Sequence, residues 1–415
     1  MARVLMLSLV YGPDTVSTAV LMTELTKGLQ KKGHEITVLT SMPHYNPSDE
    51  VLSNPLYRAS FFKFFTETVE DGIRVLRVYM PLKSQRIWLR IFDYLWFHII
   101  TTCVALATIR SQRIIFVPSP PITLGLNGYL LAKLYKAKLI YDVLELWPDA
   151  PIRMGFIKNK SLVRLAYWVE SFVYRHSSIV ACIAQTFVDA LLKRGVPAEK
   201  LRLAPLFVDV ERISPRPKKN TFSCKHELQD KFVALYAGNI GLSQGVEMLA
   251  EVAGYLQKEE GIRIVIIGDG ARRPKLEQAV TVANLSNIYL LPFQPYECVP
   301  DIYATADVAL SPMQPGHSHE SVPSKIFTVM ASGRPTIAAC EPNTETSMLI
   351  AHSRGGLTVP PGSAKEMADA ILYLYKNPDK TKNMGEHGRK WVVDNYSKNA
   401  VIAMHDNIII ETARK

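Results

Sequence analysis

The apolar positions of this chain fall into short unbroken runs, separated by longer stretches where they recur every three or four residues. Residues 4–10 form one such run, with the character of a strand buried on both faces. Past the polar loop 11–17 the period changes. Val20, Leu21, Leu25 and Leu29 line one side of a helix predicted over 18–32, and Gly33 ends it before a second strand at 35–40. Strand, helix and strand in that order make one βαβ unit of a parallel sheet. Further strands are predicted at 73–78, 113–117 (closed by Pro118), 139–143, 178–183 and 201–204, with a helix at 186–194.

The stretch Ser214-Pro215-Arg216-Pro217-Lys218-Lys219-Asn220 reads as a linker. Beyond it the alternation restarts: strands at 232–237, 263–267, 288–290 and 308–310, helices at 245–257, 271–283 and 298–305, then a helix opening with Pro323 and closing before Gly333. Three helices, 365–376, 380–395 and 398–412, complete the chain. The expected architecture is α/β, two doubly wound Rossmann-like sheets facing one another across a cleft. Residues 1–210 would form the first domain and 211–385 the second, with 386–415 a helical segment crossing back to the first.

At 415 residues there is material for two independent cores. The formal net charge of +10 admits an anionic membrane surface or phosphorylated substrates. Nucleic acid is not expected, because the basic residues are scattered and no aromatic-basic module is present. Five dispersed cysteines without a Cys-x-x-Cys pair fit a reducing cytosol and argue against a zinc site. Residues 87–107 are the nearest approach to a membrane span. Arg90, Asp93 and His98 interrupt them, leaving a core-facing helix or one resting on a membrane surface through Trp88, Trp96, Arg86 and Arg90.

Candidate chemistry gathers where strands end, since open parallel sheets bind ligands beyond the carboxyl ends of their strands. The turn Gly238-Asn239-Ile240-Gly241 precedes a helix and could present N–H groups to a phosphate, or serve only as a tight turn. Gly268-Asp269-Gly270, with Arg272, Arg273 and Lys275 close by, is a similar turn. The helix tip at 321–324 favours an anion, to which Ser324 and Lys325 add a donor and a charge. Glu320 beside it is placed where charge alone would not put it, which suggests a hydroxylated ligand next to a phosphate: a sugar nucleotide. His317, His319 and Glu320 make a weak metal pattern, and no Asp-x-Asp motif is present to hold a cation on a diphosphate.

In order and spacing these motifs resemble the retaining nucleotide-sugar glycosyltransferases of family 4, which have the GT-B architecture. The resemblance is carried by Tyr11-Gly12-Pro13-Asp14, the run 29–40, Tyr236-Ala237-Gly238-Asn239-Ile240-Gly241, Ile266-Ile267-Gly268-Asp269-Gly270, Ser321-Val322-Pro323-Ser324-Lys325 and Ala331-Ser332-Gly333-Arg334-Pro335. Pro43-His44-Tyr45-Asn46-Pro47 and residues 142–149 resemble a branch found in bacterial surface-polysaccharide and O-antigen clusters. There are departures. The family's paired glutamates match Glu320 but have Thr328 at the second place, and its basic pair appears as Asn239 and Gln244. Its histidine after strand 139–143 is Leu144, followed by Glu145, and its amino-domain glycine pair is Val16-Ser17.

The resemblance implies transfer of a hexosyl or N-acetylhexosaminyl group from a nucleoside-diphosphate sugar, with retention and without a metal or other cofactor. The acceptor would be a glycan or a polyprenyl-diphosphate-linked glycan, at the cytoplasmic face of the inner membrane. Glu320, Lys325 and Glu145 are the catalytic candidates. Gly238, Asn239, Gly241, Gln244, Gly268, Gly270, Arg273, Val322 and Ser324 are the donor-binding candidates. A nucleotide-sugar epimerase or hydrolase, or a non-catalytic part of a polysaccharide assembly complex, would share the architecture.

Overall fold

The computed structural model describes all residues except 15, 45–50, 52, 58–63, 81–86, 150–151, 153–158, 243, 319–324 and 415. The chain divides into two compact units: Met1–Leu206 with Val401–Lys415, and Phe207–Ala400.

The first unit runs β1 (Arg3–Leu7), α1 (Ser17–Lys31), β2 (Glu35–Ser41), β3 (Phe65–Glu70), β4 (Ile73–Val78), α2 (Ile87–Thr108), β5 (Ile114–Ser119), α3 (Ile122–Tyr135), β6 (Lys138–Val143), α4 (Lys160–His176), β7 (Ile179–Cys182), α5 (Gln185–Lys193) and β8 (Leu201–Leu203). Its sheet has the order β3-β4-β2-β1-β5-β6-β7-β8. The central strands are buried almost throughout, as parallel strands covered by helices on both faces must be. Only β3 runs antiparallel, joined to β4 through Asp71-Gly72, both at positive φ. Its alternating sequence suits an edge, which is why a search for unbroken apolar runs passes over it. Pro118 does not close β5: it lies inside the strand, opposite Asp142.

Helix α3 was not anticipated, because its apolar residues leave no polar stripe to set a period. It sits close to the sheet. A Cβ on Gly125 would overlap Val173 and Tyr141, and one on Gly128 would overlap Val117. In α2, Phe97, Thr101, Val104 and Ala105 face inward, and Trp96 donates its indole N–H to the Tyr79 carbonyl at 3.0 Å. Among the described residues no helix is long and apolar enough to cross a membrane.

The second unit runs α6 (Thr221–Lys225), β9 (Phe232–Ala237), α7 (Met248–Tyr255), β10 (Ile262–Ile267), α8 (Arg273–Val282), β11 (Ile288–Leu291), α9 (Val299–Thr305), β12 (Val308–Ser311), α10 (Lys325–Ala331), β13 (Thr336–Ala339), α11 (Glu345–Ser353), β14 (Gly356–Val359), α12 (Ala364–Lys376) and α13 (Pro378–Tyr396). Its all-parallel sheet has the order β11-β10-β9-β12-β13-β14. The Pro/basic stretch at 214–220 is not a free linker. Arg216 pairs with Asp301, Lys218 with Asp307, and Asn220 caps α6, so the stretch is bound to this unit.

The final helix, α14 (Lys398–Arg414), returns to the first unit from residue 401. Its Val401, Ile402, Ile408 and Ile409 are buried there, and a Cβ on Gly28 of α1 would overlap Ile402. Asp406 accepts from His34 at 2.7 Å, and Arg202 binds Glu411. The expected return from residue 386 starts later because α13 belongs to the second unit. There Arg389 donates to the carbonyls of Val210, Ile213 and Ala331.

Candidate active site

Within the second unit the turns after β9 and β10 interlock at the carboxyl edge of the sheet. Gly238, Gly268 and Gly270 have φ of 147°, 151° and 150°, a region essentially closed to other residues. Space is as restrictive as angle. A Cβ on Gly268 would overlap the Gly238 carbonyl, and one on Gly270 would lie 2.5 Å from the carbonyl oxygen of Ile240. Ile240 N–H donates to the Asp269 carbonyl at 2.8 Å, and Arg272 N–H to the Ile240 carbonyl at 3.0 Å. Gly238 N–H is taken by Ile267, while Gly270 N–H is taken by the Asp269 carboxylate. Among the described residues this leaves the N–H groups of Asn239 and Gly241 as the free donors of the first turn.

Lys325 is the first residue of α10, and its chain lies directly against Gly238, where any side chain would collide with Nζ. Nζ is 3.4 Å from the Tyr236 hydroxyl and 4.9 Å from the centre of its ring. The Tyr236 hydroxyl in turn donates to the Asn239 carbonyl at 2.6 Å. No carboxylate among the described residues pairs with Lys325, and burial lowers its pKa to about 8. Burial also pushes the Tyr236 phenol well above its usual range, so it stays a neutral donor.

Asn239, Gln244 and Lys325 line one cavity of about 250 Å³, together with Tyr236, Ser311 and Met313. Five donor-binding candidates among the described residues stand outside its lining, Gly241 of the first turn among them. Gly238, Gly268 and Gly270 shape the turns behind it, and Arg273 is spent on structure. The Arg273 guanidinium donates to the Gly268 and Leu291 carbonyls, and its Nε to Glu277 at 2.7 Å. Glu320, Val322 and Ser324 lie outside the described residues, as does His319. The loop leading to them is pinned by Glu341, which accepts from Gly316 N–H at 2.5 Å and donates its own N–H to Ser318 at 3.2 Å.

Glu145 belongs to the first unit. It is exposed on the loop after β6. That loop is anchored at both ends: Leu144 N–H donates to Ser119 at 3.3 Å, and Asp149 is held by Arg194 and Tyr167. Three residues were given no role of their own in the reading of the chain: Tyr236, Glu341 and Asp142. Asp142 is buried in β6 with one oxygen unpartnered, and its pKa is raised to about 8 by desolvation. A polar residue inside an unbroken apolar run was its signal.

Two family models match the chain: the glycosyl transferase 4-like domain over residues 18–207 and the glycosyl transferases group 1 over 231–377. A putative colanic acid biosynthesis glycosyl transferase of Escherichia coli (strain K12) is 25% identical over 394 residues, covering 89% of this chain and 91% of that protein. Sucrose-phosphate synthase of Thermosynechococcus elongatus superposes with a TM-score of 0.76 at 17% identity, over 99% of this chain and 98% of that one. The Anabaena protein HepE, solved in complex with UDP, superposes with a TM-score of 0.72 at 14% identity over the full length of both. With both halves matched and each sheet in place, this chain belongs to the group 1, family 4-like glycosyltransferases, with the GT-B fold.

Proposed function

We propose that this glycosyltransferase moves a hexosyl or N-acetylhexosaminyl group from a nucleoside-diphosphate sugar to a hydroxyl of a glycan or polyprenyl-diphosphate-linked acceptor. Transfer proceeds with retention, without a metal ion, in the synthesis of a cell-surface polysaccharide at the cytoplasmic face of the membrane. The colanic acid relative supports the pathway class, and the UDP complex of a protein with this fold supports the donor class.

The observation that carries the reading is the half-buried, partly desolvated ammonium of Lys325, lacking a carboxylate among the described residues and facing a cavity edged by Asn239. A charge held out of water without a partner is costly, and an anionic ligand would repay that cost. As the sugar–phosphate bond breaks, negative charge grows on the leaving diphosphate. Lys325 and the N–H groups of Asn239 and Gly241 are the preorganised groups to meet it. Glu320 is assigned to the sugar hydroxyls, Ser324 and Val322 to the phosphate side, and Glu145 to the acceptor.

Lys325→Ala is expected to lower transfer at least tenfold, about 1.4 kcal/mol of transition-state stabilisation, measured as acceptor-dependent release of nucleoside diphosphate. Undiminished turnover would remove Lys325 from the mechanism. Donor consumption at the same rate with and without acceptor would instead identify a hydrolase.

A further inference from the structure

We infer that the outward faces of α2, α3 and α4 form a docking surface for an anionic phospholipid bilayer. These three helices are neighbours on one face of the first unit's sheet. His98 of α2 bonds Thr123 of α3 at 3.0 Å, Thr102 bonds Asn127 at 2.9 Å, and Tyr129 of α3 meets Phe172 of α4 edge-on at 5.0 Å. On α2 the side turned away from the sheet carries Phe92, Leu95, Ile99 and Leu106, all more than half exposed and spaced as one helical stripe. Leu130 and Leu134 continue the surface across α3. On α4 the stripe is Leu162, Leu165 and Trp168, the last 60% exposed and stacked on Phe172. A soluble monomer seldom leaves so many large apolar side chains adjacent and bare.

Charge selects the occupant. Among the described residues every exposed charge on these helices is basic: Lys133, Lys160, Arg164 and Arg175. Glu170 is buried against Arg194, and Asp93 is half-buried and engaged. A second copy docking here about a two-fold axis would set these cations against themselves. Leu, Phe and Trp side chains rimmed by Lys and Arg suit the boundary between headgroups and acyl chains of an anionic leaflet. The sequence pointed to α2 alone and to its tryptophans, but Trp96 turns inward and the surface extends over two further helices. Helices α3 and α4 start at the edge of the sheet where β5 and β6 end, on the same side as the Glu145 loop. That this surface presents a lipid-linked acceptor rests on the transfer reading above; the docking does not.

The test is co-sedimentation of the full chain with vesicles of phosphatidylcholine, alone or with 30% phosphatidylglycerol, in low salt and in 0.5 M NaCl. Expected are at least fivefold more bound protein on the anionic vesicles, loss of most of that excess in high salt, and a blue shift of tryptophan fluorescence on binding. Leu165→Glu/Trp168→Glu and Leu95→Glu/Ile99→Glu should each cut binding at least fivefold, while Val282→Glu, at a still more exposed position on the second unit, should not. Equal recovery in the supernatant with both vesicle types would overturn the proposal. So would a wild-type dimer in solution that the glutamate pairs dissociate without any vesicle binding, which would assign the surface to a second copy. The wild-type comparison decides even if a variant fails to fold. The vesicles carry neither donor nor acceptor, so this proposal and the transfer reaction fail separately.

Discussion

Lys325 is half-buried and Asp142 fully buried, and desolvation moves their pKa values in opposite directions. For Lys325 the charged form is disfavoured, so in the donor-free protein its ammonium is lost as pH rises through about 8. The donor kcat/KM is therefore expected to fall above that pH, and the limb to move to higher pH in Lys325→Arg. An anionic donor should restore the proton, so titration calorimetry at pH 8.5 in two buffers of different ionisation enthalpy should register proton uptake. Asp142 instead keeps its proton in the folded state up to about 8, whereas the unfolded chain releases it near 3.8. Its contribution to stability is complete below the unfolded value and is lost as pH rises through the folded one. Wild-type stability should thus decline between about pH 4 and 8, and Asp142→Asn should flatten that decline in urea titrations. Lys325 was legible in the chain because a cation at a helix tip after a polar loop has a physical meaning on its own. Tyr236 was not, because a tyrosine in a strand reads as core until its hydroxyl is seen between Lys325 and Asn239.

At the scale of elements, the turns after β9 and β10 act as one piece, since each fills the space a side chain on the other would need. Gly268→Ala combines a disallowed angle with overlap of the Gly238 carbonyl. It is expected to cost roughly 2–4 kcal/mol and to abolish the thermal shift given by donor. Gly316→Ala, at a φ of 84° with open space around its Cβ position, should cost only about 1 kcal/mol. Equal midpoints for the two variants would refute the interlock. The long central strands of both sheets were legible because burial on both faces leaves an unbroken apolar run. Strands β13 and β14 were not, because the first follows directly on the turn residues Gly333-Arg334-Pro335 and the second opens with Gly356 and carries Thr358, which breaks its apolar run. Nor was α3, where Gly125 and Gly128 serve close packing rather than a turn.

At the scale of the whole molecule, the chain passes between its two units twice, at 206/207 and at 400/401. The first unit is therefore built from distant parts of the sequence, and α14 covers a face whose partners include Gly28, His34 and Arg202. A fragment of residues 1–206 should expose that face and melt well below the full chain. Adding a peptide of residues 398–415 should raise its melting temperature, and no response to the peptide would show that the helix is dispensable. The return itself was expected, although helical periodicity says only that the last segment is helical and not which unit it packs against. Its starting point was not, because nothing in the repeat of α13 reveals that Arg389 is committed to carbonyls of the second unit. Such a path orders events on the ribosome: residues 401–415 emerge only after all of 207–400 have been made. The first half of the enzyme must wait, with one flank bare, until the second half has left the exit tunnel. Chaperone capture during synthesis would accordingly be concentrated on the amino-terminal half.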